Sequence, residues 1–226
     1  MIYGRVVWNL KVVLSIHVLR LVIGLLLVRV LYPLLFTVTP FMIEITDRIV
    51  VVGLVCLTVG KSGGDFRKLG LSLDHIRVNI LQGLAVGLIL LAVSLFSEKI
   101  YTTMLFITPT DHPLVAQVEN ATTWQQVIPP LFLAGVLAPL AEEMLYRLFT
   151  FLPMQERWGF WGGAIGSSVV FAMMHFNLYW FAEMMVVGMG LAFVYNSTGS
   201  LISAMIAHGV INTGKILMLF FGISLV

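Results

Sequence analysis

Residues 124–152 read WQQVIPPLFLAGVLAPLAEEMLYRLFTFL, and this stretch determines what kind of protein the chain forms. It is long and apolar enough to cross a bilayer as a helix, since a span needs roughly 20 such residues. Two glutamates and an arginine nevertheless lie inside it, at Glu142, Glu143 and Arg147. A charged side chain in hydrocarbon costs roughly 3 kcal/mol or more, so it persists mainly where it is used or paired. The stretch therefore predicts a membrane helix with a buried polar site.

The composition of the whole chain agrees with this interpretation. Of its 226 residues, 59% are hydrophobic and 11% are charged, whereas a soluble domain has about 25% charged residues. The formal net charge of +2 is too small to favour binding of nucleic acid. The single cysteine, Cys56, lies in an apolar run, so neither an intramolecular disulfide nor a cysteine metal cluster is expected.

The rest of the chain shows the same apolar pattern. Seven segments qualify as membrane spans: 12–36, 41–60, 78–107, 124–152, 160–176, 180–195 and 201–225. Helices are the expected form, because backbone groups in lipid must be satisfied within their own segment. We predict an all-α, polytopic transmembrane bundle of about seven helices, in which residues 1–226 form a single integral membrane domain with a motif-bearing core at about 124–215.

The connecting segments predict the orientation. Segment 61–77 holds four basic residues, whereas 108–123 holds two acidic residues and no Lys or Arg. Because basic loops stay inside, we expect the first segment in the cytoplasm and the second outside. The first helix contains His17, Arg20 and Arg29, which leaves open whether its N-terminal part spans the membrane or lies along the interface. We expect a multi-pass protein of a prokaryotic cytoplasmic membrane.

The glutamate pair predicts a division of roles. Glu143 and Arg147 are four residues apart, so they share a helix face and can form an ion pair. Glu142 is offset by about 100° of helix and has no cation three or four residues further on. We expect Glu143 to neutralise Arg147 while Glu142 faces the interior. Pro139 is expected to bend this helix and free a carbonyl.

Two further motifs add imidazole and amide groups. Phe171 and His175 are four residues apart, as are His208 and Asn212, so each pair lies on one helix face. Taken singly, the motifs have structural alternatives: a packing salt bridge, a structural histidine and polar contacts between helices. Taken together, an unpaired glutamate, two histidines and an amide supply the groups that activate water and stabilise an oxyanion.

The ordered motifs Glu-Glu-x-x-x-Arg, Phe-x-x-x-His and His-x-x-x-Asn resemble the CAAX protease and bacteriocin-processing (CPBP, or Abi) family, which includes prenyl-protein endopeptidases of the Rce1 type. The resemblance covers roughly residues 124–215. It implies an intramembrane glutamate-type endopeptidase in which Glu142 and His175 activate the attacking water. It further implies that His208 and Asn212 stabilise the tetrahedral oxyanion. The resemblance also implies that three residues support the site structurally: Glu143, Arg147 and Phe171.

Other functions remain open at this point. A non-catalytic immunity or scaffold protein would have the same helices, and a transporter could use Glu142, Glu183 and Lys215 as a pathway. The sequence contains no detectable inverted repeat, which argues against the transporter. The expected substrate is a peptide or a lipidated protein, and it could be prenylated or bear a leader peptide. The sequence determines neither which of these it is nor the oligomeric state.

The main mechanistic rival is a zinc site. Glu142, His175 and His208 could ligate zinc, because one glutamate and two histidines plus water form a known catalytic set. The histidines lie on separate helices, however, and the zincin motif His-Glu-x-x-His is absent from the sequence. We therefore expect no cofactor and no metal.

Overall fold

A computed structural model describes residues 6–105 and 113–223. Over these residues the chain is helical and contains no strand, which confirms the all-α class. Helices α1 to α4 are Leu10–Leu35, Pro40–Lys61, Ile76–Leu105 and Pro113–Glu119. A helical run, Trp124–Met173, is divided at Gly159 into α5 (124–158) and α6 (160–173), and Phe181–Thr198 and Leu201–Phe220 form α7 and α8. Seven of these helices are long; α4 is short.

Several of the helices are suited to a bilayer. Four stretches among the described residues are long and apolar enough to cross a membrane: Leu10–Leu35, Ile76–Tyr101, Trp124–Met173 and Leu201–Phe220. The number of spans and their orientation stay predictions. The predicted external loop lies partly outside the described residues, because these exclude 106–112.

Gly159 reverses the direction of the chain between α5 and α6. Its φ of 72° and ψ of 178° suit glycine, which has no Cβ to clash there. The sequence predicted that this helix ends at residue 152, so the observed helix is six residues longer. Glu142 lies 17 residues before Gly159, and His175 lies 16 residues after it. The two side chains therefore reach a similar depth on neighbouring antiparallel segments, although the shorter predicted helix had placed His175 deeper.

Three segments of π-helix interrupt the regular helices. They are Leu27–Leu31, Leu133–Leu137 and Glu143–Phe151, and each ends two residues before a proline. Proline has no N–H and its ring clashes with the carbonyl four residues earlier. In a π-helical turn each N–H bonds to the carbonyl five residues back, and this wider turn before the proline relieves the clash. The third segment has all nine residues buried and forms the centre of the bundle.

Glycines allow α8 to approach its neighbours closely. A Cβ at Gly87 of α3 would lie 2.8 Å from Cβ of Val210, and a Cβ at Gly209 would lie 2.5 Å from the carbonyl oxygen of Gly135. Side chains are therefore excluded at both contacts, as in other closely packed membrane helices. These two contacts fix α8 between α3 and α5.

The N-terminal helix packs its polar side chains against the bundle. His17 is buried, and its Nε2 lies 3.0 Å from Oγ1 of Thr150. Arg20 donates two hydrogen bonds to Asp47 of α2. Of the three polar residues that left the interfacial alternative open, His17 and Arg20 therefore face protein, whereas Arg29 is exposed.

Candidate active site

Four of the predicted site residues line one cavity of about 920 Å³. Glu142 comes from α5, His175 from the turn after α6, and His208 and Asn212 from α8. The sequence placed these side chains on helix faces. The structure ends α6 at Met173, so His175 lies in the turn that follows, and the four side chains meet at the cavity. The cavity is also bordered by α1 and α2, including Arg20 and other side chains that the motifs did not single out.

The Glu143–Arg147 pair lies beneath this cavity. Both side chains are fully buried, and Nε of Arg147 lies 3.1 Å from Oε2 of Glu143. The guanidinium also lies over the ring of Phe171, 5.0 Å from its centroid, an arrangement that attracts a cation to an aromatic face. The pairing predicted from the four-residue spacing is therefore present, and Phe171 packs against it as expected.

His208 lies between the two glutamates. Its Nδ1 is 2.8 Å from Oε1 of Glu143, and its Nε2 is 3.8 Å from Oε2 of Glu142. A carboxylate only accepts hydrogen bonds, so Nδ1 of His208 is the donor to Glu143. Nε2 then faces Glu142 and the cavity. It has a lone pair in the neutral ring and an N–H in the imidazolium. Sequence reasoning missed this contact, because it joins residues 65 positions apart.

His175 is oriented by the end of α6. Its Nδ1 lies 2.7 Å from the carbonyl oxygen of Phe171, one of the last-turn carbonyls that lack a helical partner. A carbonyl only accepts, so Nδ1 donates and Nε2 has the lone pair in the neutral ring. The imidazole also packs edge-on against the Phe171 ring, with centroids 4.7 Å apart. His175 is thus held as a potential proton acceptor at the cavity wall.

Asn212 is held by a carbonyl that a proline leaves free. The N–H of Ala138 bonds to Leu133, five residues back. The next donor in this pattern is Pro139, which has no N–H, so the carbonyl of Ala134 lacks a helical partner. Nδ2 of Asn212 donates to that oxygen at 2.8 Å. One amide proton is therefore committed, and the other is left for the cavity.

Glu142 has a partner that the sequence analysis did not identify. Nη2 of Arg48, on α2, lies 3.3 Å from Oε1 of Glu142, whose side chain is 14% exposed. Arg48 also pairs with Glu44 at 2.6 Å, a local contact that the four-residue spacing predicts. The second contact crosses between helices, and no feature of the sequence indicates it.

A second charged cluster borders the cavity. Nζ of Lys215 lies 2.6 Å from Glu183 and 2.8 Å from Glu98. Glu183 and Lys215, which the sequence analysis considered as part of a transport pathway, thus form an ion pair. Glu98 is only 4% exposed, and Lys215 pairs with it inside the bundle.

Glu142, His175 and His208 are the residues that could ligate zinc. Among the described residues, no group of three His, Cys, Asp or Glu side chains is arranged to hold a metal ion. His208 directs Nδ1 to Glu143, which leaves only Nε2 on its cavity side. Independence from metal remains a prediction.

Comparison with known proteins gives the class. Residues 124–214 match the profile of the family described as "Type II CAAX prenyl endopeptidase Rce1-like". Over 94 residues, 41% of the chain, the sequence is 27% identical to the Bacillus subtilis (strain 168) protein named "Putative membrane peptidase YdiL". The match spans 38% of the length of that relative. No solved structure matches the chain significantly.

These matches confirm, for the motif-bearing segment, the CPBP family of Rce1 type that the three motifs indicated. The match lies within α5 to α8 and leaves α1 to α4 uncovered. The match and the long apolar helices together support an integral membrane protein whose segment 124–214 is similar to a peptidase family.

Proposed function

We propose that this protein is an intramembrane endopeptidase that hydrolyses a peptide bond of a membrane-associated substrate. The proposal rests on one observation above all: Glu142, His175, His208 and Asn212 line a single cavity although they come from three separate parts of the chain. Several polar groups that converge on one cavity are typical of an active site. The family description supports the same reaction class.

The proposed reaction begins with a water molecule between Glu142 and His175. Glu142 accepts a proton from this water, and Nε2 of His175, which has its lone pair on the cavity side, accepts or relays it. The oxygen then attacks the carbonyl carbon of the substrate. Collapse of the tetrahedral intermediate breaks the C–N bond, and the same groups return the proton to the leaving amine.

Two donors would stabilise the oxyanion formed in this step. Asn212 offers its remaining amide N–H, and His208 offers Nε2–H when its ring is protonated. Glu143 favours this arrangement because its carboxylate accepts from Nδ1 of His208 and faces the imidazolium. In this proposal Glu143 has two tasks, neutralising Arg147 and orienting His208.

The substrate class follows from the position of the site. The cavity lies among helices that are suited to a bilayer, so we propose a peptide or lipidated protein that reaches it from the membrane. We further propose that the protein works in a prokaryotic cytoplasmic membrane. The "prenyl" of the family description applies to that family; whether this chain requires a prenyl group is decided by the experiment below.

Comparison of membrane peptides tests this proposal. Cells that express the wild type or Glu142→Gln at equal level are compared by mass spectrometry of their membrane peptides. We expect a set of cleavage products that is present with the wild type and absent with the variant, and the lipidation of these products defines the substrate. Identical peptide sets, together with an unchanged biological effect of Glu142→Gln, would instead indicate a binding scaffold.

A further inference from the structure

Arg48 lies outside the segment that matches the family, yet it contacts the proposed catalytic glutamate. Its Nη2 is 3.3 Å from Glu142, and its Nη1 is 2.6 Å from Glu44 and 3.2 Å from Asp47. We propose that Arg48 is a positioning residue, which orients the Glu142 carboxylate into the cavity and keeps it ionised. This inference rests on the proposed function, since it assigns a task only if Glu142 activates water.

The neighbours of Arg48 hold its guanidinium in place. Asp47 accepts two hydrogen bonds from Arg20 of α1, both at 2.7 Å. Arg20 in turn donates to the hydroxyl of Tyr146 on α5, at 3.0 Å. Helices α1, α2 and α5 are therefore joined through one polar chain that ends at Glu142. A planar guanidinium fixed on two sides presents its donors in a defined direction, which a flexible ammonium does not.

Glu142 depends on this cation because no other is as well placed. Arg147, the cation of its own helix, pairs with Glu143. His208 lies 3.8 Å away and is needed for the reaction. A carboxylate that is shielded from water and has no cation binds a proton and can then no longer accept one from water. The position of Arg48 prevents this.

Several other charged or titratable groups act on Glu142, and they come from every element around it. They are His208 of α8, His175 after α6, Arg20 of α1, Glu44 of α2 and Tyr146 of α5. Asp47 of α2 lines the same cavity, and Glu143 is the next residue of α5. The acidic groups among them oppose ionisation of Glu142. The contribution of Arg48 is therefore measurable only by removing it alone, with the rest of the cavity intact.

Infrared spectroscopy of the full chain in lipid nanodiscs tests the inference without a substrate. Spectra at neutral pH are compared for the wild type, Arg48→Met, Arg48→Lys and Arg77→Met, each with and without Glu142→Gln. Arg77 is an exposed arginine outside the cavity and serves as the matched control. We expect a protonated-carboxyl band to appear only in Arg48→Met. Adding Glu142→Gln to that variant should abolish the band. Absence of this band in folded Arg48→Met, or its presence in the wild type, overturns the inference.

Turnover separates orientation from charge. With internally quenched peptides, prenylated and unprenylated, we expect Arg48→Met to lower kcat on the order of a hundredfold with little change in KM. Arg48→Lys should keep Glu142 ionised but remain slower than the wild type, and this variant decides the matter if Arg48→Met does not fold. Wild-type kcat in Arg48→Lys would refute the orienting role.

The two proposals fail in different ways. An active Glu142→Gln protein would refute the proposed function itself. An inactive Glu142→Gln protein, together with wild-type kinetics and no new band in Arg48→Met, would refute the role of Arg48 alone. If the wild type cleaves none of these peptides, the infrared result still decides the effect of Arg48 on Glu142.

Discussion

Nδ1 of His208 lies 2.8 Å from Oε1 of Glu143, and this contact joins two of the three sequence motifs directly. Glu143 is held on its other side by Arg147, at 3.1 Å. The imidazole therefore stands between a fixed carboxylate and the cavity-facing Glu142. A ring oriented in this way presents one defined nitrogen to the site.

The first prediction concerns stability. Glu143→Gln removes the charge that neutralises Arg147, whose guanidinium is fully buried. We expect a loss of about 3–5 kcal/mol, the usual cost of breaking a buried ion pair. Glu142→Gln should lose less, because Glu142 is partly exposed to the cavity and its amide replacement still accepts from Arg48. Unfolding of both variants in detergent measures the difference, and equal losses would refute the assignment.

The second prediction concerns the amide of Asn212. Asn212→Ala removes a proposed oxyanion donor, so kcat should fall about 10²–10³-fold. Substrate affinity should change little, because the oxyanion exists only in the transition state. The variant also leaves the Ala134 carbonyl without a partner, which we expect to cost about 1–3 kcal/mol of stability.

Steady-state kinetics on a cleaved peptide, with folded protein quantified, measure this effect. Asn196→Ala provides the control, since Asn196 bonds to Gln155 and does not line the cavity. It should retain wild-type kcat. A raised KM with unchanged kcat in Asn212→Ala would indicate that the amide binds substrate instead.

The third prediction concerns orientation. In a background with Cys56 replaced by serine, a cysteine at Ser62 should resist an impermeant thiol reagent in intact cells, because the basic 61–77 segment is expected inside. A cysteine at Asn120, which is exposed at the end of α4, should react. Permeabilised cells should label both positions. The opposite pattern in intact cells would invert the topology.

The fourth prediction concerns metal. Purified protein should contain no stoichiometric zinc, and hydrolysis should survive exhaustive chelation, because a glutamate and a histidine activate the water in the proposed reaction. Elemental analysis and chelation before assay measure this. One tightly bound zinc per chain, with activity lost on chelation and restored by zinc, would replace the mechanism with metal-assisted hydrolysis.

Local spacing predicted much of the fold and part of the site. Apolar runs located the seven long helices of the described residues, because a long apolar run in a membrane protein is expected to be helical. Four-residue spacing predicted the Glu143–Arg147 pair and the shared faces of the other motifs, because residues four apart are neighbours on a helix. The end of α5 was misplaced by six residues, since the segment after residue 152 continues as helix until Gly159 forces the turn.

Contacts between distant helices could not be predicted in this way. The Glu142–Arg48 and Glu143–His208 contacts join residues 94 and 65 positions apart. Both depend on how the helices pack, and the glycines that set the packing of α8 look like any others in the sequence. Arg48 in particular already had a satisfactory local partner in Glu44, so the sequence offered no reason to seek a second.

The role of Glu142 in activating water is decided by the rate of peptide-bond hydrolysis by purified Glu142→Gln relative to the wild type. Both proteins are reconstituted in the same liposomes with a substrate found in the membrane-peptide comparison, and rates are normalised to folded protein. We expect the wild type to cleave the peptide and Glu142→Gln, equally folded, to show no detectable hydrolysis. Cleavage by Glu142→Gln at the wild-type rate would rule out this role.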